Sequence, residues 1–98
     1  MEIEYRDKRL ALVPTDRAAE TRLPVAVMKS LREKLIVISA APDERTLRNW
    51  RSLHYEQLKG DRQGQKSIRL NDQYRLLLEV DNSRNPPKAI ILGVEDYH

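Results

Sequence analysis

Ser67-Ile68-Arg69-Leu70-Asn71-Asp72-Gln73-Tyr74-Arg75-Leu76-Leu77-Leu78-Glu79-Val80 is the stretch whose reading decides the fold. Residues 67–71 alternate between polar and apolar types, the period of two that sends successive side chains to opposite faces of a strand. Residues 74–80 are rich in strand-forming types. Between the two runs, Asn71-Asp72-Gln73 has the composition of a tight turn, because Asn and Asp side chains can hydrogen-bond the backbone just ahead of them. The whole stretch therefore predicts an antiparallel hairpin. After a polar loop ending in Pro86-Pro87, the nearly continuous apolar run from Ala89 to Val94 predicts a third strand.

Upstream, the period changes. Val27, Met28, Leu31, Leu35 and Ile38 recur at spacings of three and four between Pro24 and Pro42, which predicts an amphipathic helix opened by the first proline and stopped by the second. Asp43 can cap a further short turn through Leu47, returning Trp50 toward the sheet. At the start of the chain, Ile3 and Tyr5 alternate with charged residues as a short first strand. Asp7 can then cap a helix beginning at Lys8, in which Pro14 forces a stop, a kink or a restart. The expected architecture is one α+β domain over residues 1–98. An N-terminal strand and two helices pack on one face of a small, mainly antiparallel sheet.

Composition narrows the function classes. Ninety-eight residues with 40% apolar and 34% charged types, one Trp and no Phe leave a modest core of Leu, Ile and Val. The absence of cysteine excludes a disulfide framework and thiolate metal ligation. The opening Met1-Glu2-Ile3-Glu4-Tyr5-Arg6 lacks the apolar stretch of a signal peptide, and no segment has the roughly 20 apolar residues of a membrane span. A soluble, cytoplasmic protein without membrane partners is expected. Residues 45–75 carry eight cations against three anions, a local charge of +5 that suits a polyanion such as nucleic acid and equally describes a solvated cationic surface.

The chemistry-bearing residues cluster in the same half. His54 and His98, the two histidines, are the side chains whose unperturbed pKa lies near neutrality, hence natural proton carriers. If the last strand runs to the end of the sequence, Asp96 and His98 share one face, and the carboxylate can orient the imidazole. Arg69 and Arg75 lie across the predicted hairpin, where their planar forks can bind phosphoryl oxygens; the bland alternative is a surface ion pair with Glu79 or Asp72. The glycine-punctuated loop Lys59-Gly60-Asp61-Arg62-Gln63-Gly64-Gln65-Lys66 can track a phosphate backbone, but it lacks the spacing of a nucleotide-binding P-loop. Tyr55, Tyr74 and Tyr97 are candidates for base stacking. A metal site on His54, Asp96 and His98 has legitimate ligand types but sits among cations that oppose a divalent ion, so neither metal nor cofactor is expected.

Leu58-Lys59-Gly60-Asp61-Arg62, Ser67-Ile68-Arg69-Leu70-Asn71, Tyr74-Arg75-Leu76 and the ending Asp96-Tyr97-His98 together resemble the HigB-type toxins of the RelE superfamily. The resemblance is strong over residues 42–98 and weaker before them, where Pro14 departs from the continuous first helix expected of the family. It implies a ribosome-dependent mRNA endoribonuclease. It also implies a cognate antitoxin, HigA-like with a helix-turn-helix DNA-binding domain, through which alone operator DNA would be reached.

Metal-free cleavage of RNA uses the neighbouring 2′-hydroxyl as nucleophile and needs a base, an acid and cations around the phosphorane. On this reading His54, Arg69, Asp96, Tyr97 and His98 are the catalytic candidates. Lys59, Arg62, Lys66 and Arg75 are the substrate-binding ones. Two alternatives stay open: a non-catalytic RNA- or ribosome-binding module of the same fold, and a ParE-like toxin directed at DNA gyrase.

Overall fold

A computed structural model describes residues 1–96. Its sheet has five strands: β1 (Glu2–Tyr5), β2 (Glu56–Gln57), β3 (Lys66–Arg69), β4 (Tyr74–Asp81) and β5 (Lys88–Asp96), in the spatial order β1-β5-β4-β3-β2. Neighbours are antiparallel except β1, which lies parallel to β5. The hairpin forms where the sequence predicts it. Asn71 turns it, its side-chain Oδ1 accepting from the backbone N–H groups of Gln73 at 2.9 Å and Tyr74 at 2.8 Å.

One face of the sheet is covered. Helix α1 (Val25–Ala40) lays Val27, Leu31, Leu35 and Ile38 onto Ile68, Leu70, Leu76, Leu78, Ala89 and Ile91. Leu31, Ile38, Ile68, Leu76, Leu78 and Ile91 lose all contact with solvent, each worth about 2 kcal/mol of hydrophobic burial. Pro24 stands immediately before α1, where a missing N–H costs nothing. At the other end Ala41 is already extended, as a residue preceding proline must be. The amino group of Met1 reaches the carbonyls of Ile38 and Ser39 at 3.2 and 3.1 Å, tying the start of β1 to the end of α1.

Three features depart from the pattern read in the sequence. The segment after Asp7 is not an α-helix but two 3-10 turns, Lys8–Leu12 and Ala18–Thr21; Asp7 caps the first through the Arg9 N–H, and Pro14 stops it. Helix α2 (Glu44–Asn49), capped by Asp43, does form, but Trp50 does not return to the sheet: it is 46% exposed, and Leu47 and Leu53 fill the core instead. The third is β2, a two-residue edge strand that the sequence pattern does not announce.

A β-bulge between β4 and β5 determines what the uncovered face displays. Leu78 pairs with Ile91 but Leu77 pairs with Gly93, so Leu92 is an extra residue and the alternation of β5 changes phase. Val94 consequently joins the core beside Leu76, while Glu95 lands opposite Arg75 on the open face. Without the bulge Val94 would face Arg75.

Candidate nucleic-acid interface

The open face is built from alternate residues of adjacent strands. Glu56 of β2 pairs with Ser67 of β3, and Ser67 pairs with Leu77 of β4; one step along, Arg69 pairs with Arg75, and Arg75 with Glu95. Two arginines directly opposite one another repel unless anions attend them. The structure supplies those anions. The Arg75 Nη1 group donates to Glu56 Oε2 at 3.1 Å and to Ser67 Oγ at 2.9 Å, and Arg69 pairs with Asp72 of the turn.

From outside the sheet, the 3-10 turn Gly60–Arg62 brings a third guanidinium across. Arg62 Nη1 donates to Glu95 Oε1 at 3.0 Å, and its Nη2 donates to the other carboxylate oxygen, Oε2. Gly60 and Gly64 on either side of Arg62 have φ of +73° and +93°, conformations that a side chain would strain. Together Glu56, Leu58, Arg62, Ser67, Arg75, Leu77 and Glu95 enclose a cleft of about 210 Å³. The Arg62 hydrogen bond holds the Glu95 carboxyl below the usual carboxylate range, so at neutral pH it faces the permanently charged guanidiniums of Arg62 and Arg75 as an anion.

The Arg69–Asp72 pair is exposed, with Asp72 at 94%, and pairs of this kind contribute little to stability, so a competing anion displaces the carboxylate cheaply. A phosphate diester offers the same planar recognition to the guanidinium fork as a carboxylate does.

The structure separates the other predicted residues. Lys59 is exposed at the foot of the loop that carries Arg62. Lys66 lies elsewhere: it belongs to the alternate set of β3, turns to the helix-covered side and sits 4.0 Å from Glu44, with its side chain only 19% exposed. It therefore does not join Arg62 and Arg75. Asp96 is opposite Tyr74, one residue out of phase with Glu95, and its Oδ2 accepts from the Gln73 side-chain amide at 2.9 Å. Tyr97 and His98 lie outside the described residues, and with them the expectation that Asp96 orients His98. No group of three or more histidine, cysteine or acidic side chains among the described residues is arranged to hold a metal ion.

His54 closes the 3-10 turn Arg51–Leu53 and is exposed, with φ 47° and ψ 51°, a left-handed backbone that costs a non-glycine residue roughly 1 kcal/mol. It stands two residues before Glu56, at the beginning of β2. Tyr55 does not present itself for stacking on a base. Its ring packs against the core, and its hydroxyl donates to Glu44 Oε2 at 2.7 Å. Tyr74 is likewise a packing residue.

Three residues of this region escape a reading of the sequence. Glu56 and Glu95 are partners of arginines 19 and 33 positions away, and only the strand register reveals them. Glu44 follows the Asp43 cap and reads as a first-turn acid, yet it is 8% exposed, accepting from Tyr55 and from the Asn82 amide at 3.0 Å. Burial alone would raise its pKa, but the two hydrogen bonds, Lys66 and Arg48 outweigh that and hold it below the usual range.

A sequence model of a family described as the RelE-like toxin of the type II toxin–antitoxin system HigB matches residues 3–89. The chain belongs to the HigB-like toxin family. Toxin HigB-1 of Vibrio cholerae serotype O1 is 34% identical to it over 79 residues, spanning 81% of this chain and 83% of that protein. The HigB-like fold is shared more widely. A YoeB/ParE toxin from Agrobacterium tumefaciens superposes with a TM-score of 0.61 at 17% identity, covering all of both chains. A chain of a YoeB–YefM complex from Staphylococcus aureus gives 0.62 at 20% identity, covering 100% of this chain and 97% of that one. No helix among the described residues of this HigB-like toxin is long and apolar enough to cross a membrane.

Proposed function

We propose that this HigB-like toxin is an endoribonuclease that cuts mRNA on the ribosome by attack of the 2′-hydroxyl on the adjacent phosphate, and that a cognate antitoxin holds it in check. The observation that carries this reading is the convergence of Arg62, Arg69 and Arg75 on the face of the sheet opposite α1. The family membership points the same way. Arg69 and Arg75 take the scissile phosphate by exchanging their carboxylate partners for phosphoryl oxygens and stabilise the charge that grows in the transition state. Arg62 and Lys59 hold the flanking backbone.

The proton transfers fall to His54 and His98, with Asp96 tuning His98 and Tyr97 positioning a base. Cationic side chains do the electrostatic work here, so the scheme requires no metal. The antitoxin is HigA-like, and operator DNA is reached through it. Localisation is cytoplasmic, where ribosomes and mRNA are. The chemistry is tested by mass spectrometry of cleaved ends. A 2′,3′-cyclic phosphate is expected, and a 5′-phosphate with a free 3′-hydroxyl would sink the mechanism.

A further inference from the structure

Residues 54–56 are anchored from both faces of the sheet. Tyr55 points to the covered side, where its hydroxyl donates to Glu44 Oε2 at 2.7 Å; Glu56 points to the open side, where Oε2 accepts from Arg75 at 3.1 Å. Immediately before these anchors stands His54, with a left-handed backbone that a β-strand or a helix would not give it. A strained conformation persists only where its surroundings impose it. The His54 N–H closes on the Arg51 carbonyl at 3.1 Å and sets the turn locally; of the two side-chain anchors that follow, the Glu56 one is exposed, so the one through Tyr55 to the buried Glu44 is the firmer.

That buried anchor is a network and not a single contact. Glu44 sits at the start of α2 with its side chain 11% exposed and gathers four elements: Tyr55 before β2, Lys66 of β3 at 4.0 Å, Asn82 beyond β4 at 3.0 Å and Arg48 of its own helix at 3.9 Å. Each of the first three belongs to a different part of the sheet. The carboxylate therefore fixes the first residues of β2 relative to β3 and β4, the strands that carry Arg69 and Arg75.

We propose that Glu44 is a positioning residue for His54, holding it through the Tyr55 hydroxyl two residues before Glu56, which lines the arginine cleft. The inference rests on the nuclease reading for its functional consequence, but not for its structural content. Glu44 itself touches no substrate. Losing it leaves the open-face arginines intact, so substrate binding survives while the proton transfer assigned to His54 slows. A displacement of about 1 Å in a reacting group costs on the order of a hundredfold in rate.

The test pairs Glu44→Ala and Tyr55→Phe with Glu44→Gln, which keeps an acceptor oxygen for the Tyr55 hydroxyl, and with Asn82→Ala, which removes a different ligand of the same carboxylate. Two readouts are made on the folded variants. The first is the one-bond Cα–Hα coupling of His54 by NMR, which separates left-handed from right-handed or extended backbone. The second is cleavage of a ribosome-bound mRNA, with ribosome affinity measured alongside.

Glu44→Ala and Tyr55→Phe are expected to abolish the left-handed signature at His54 and to slow cleavage about ten- to a hundredfold at unchanged affinity. Glu44→Gln is expected to keep both, and Asn82→Ala, which leaves the Tyr55 contact in place, to lose clearly less than either. If Glu44→Ala does not fold, Tyr55→Phe alone decides. An unchanged His54 coupling in Tyr55→Phe, or an equal loss in Asn82→Ala, overturns the proposal. Absence of cleavage by the wild-type protein overturns the nuclease reading instead, and the coupling still decides whether Glu44 positions His54.

Discussion

Glu95 stands directly opposite Arg75 because Leu92 is an extra residue in β5; without that bulge the position would belong to Val94. One inserted residue thus exchanges an apolar side chain for a carboxylate facing Arg75 and within reach of Arg62. Arg62 then has an anion to cross the sheet for.

If the carboxylates of the cleft stand where a phosphate will sit, removing one should strengthen binding to RNA. Glu95→Gln frees Arg62 and removes an anion from the path of the backbone. The expected result is a rise of roughly threefold to tenfold in affinity for a short single-stranded RNA at low salt, with a steeper salt dependence. Fluorescence anisotropy across a salt series checks both.

Arg75 donates to Ser67 Oγ and Glu56 Oε2 from one nitrogen, Nη1, and its planar guanidinium suits a bidentate grip on phosphoryl oxygens. Arg75→Ala should reduce affinity uniformly across RNA sequences and lower the salt slope by about one. Arg75→Lys keeps the charge but not the fork, and should recover only part of the loss. The same titration distinguishes the two variants.

Glu44 makes stability depend on pH with a definite sign. Its pKa is depressed in the folded protein, so the stabilisation is present above the unfolded value, near 4.3, and is lost as pH falls through the folded value. Urea midpoints measured from pH 7 to pH 3 should fall for the wild type, and Glu44→Gln should flatten the part below about pH 4.3. At pH 7, Glu44→Ala should cost about 2 kcal/mol, because the Tyr55 hydroxyl and the Asn82 amide lose their acceptor.

The core is thin enough for single truncations to matter. Leu78 is fully buried between α1 and the middle of the sheet. Leu78→Ala should destabilise by about 3 kcal/mol, and thermal unfolding followed by circular dichroism should show a Tm lower by roughly 15 °C.

How much of this the sequence discloses depends on the range over which each signal acts. The hairpin, α1 and β5 are legible because period and turn chemistry are local, and Asn71, Pro24 and Pro42 mark their ends. The two-residue β2 has no period to read. The first segment after Asp7 carries helical spacing, but Pro14 confines it to 3-10 turns. The bulge leaves no mark on residues 89–94, which are apolar on both phases. For the same reason Arg69 and Arg75 are visible as candidates, whereas Glu56, Glu95 and Glu44 are not: acids on a charged chain look solvated until the register shows what they meet. Lys66 errs the other way, a cation in a basic loop that the pleat turns toward Glu44.

The most direct test of the central claim is cleavage of a defined mRNA in a reconstituted translation reaction, mapped by primer extension, with wild-type protein and with an Arg69→Ala/Arg75→Ala variant shown to be folded. The account predicts ribosome-dependent cuts with the wild type and a loss of at least about a hundredfold with the variant. Intact mRNA with the folded, antitoxin-free wild-type protein, or undiminished cutting by the variant, would contradict it.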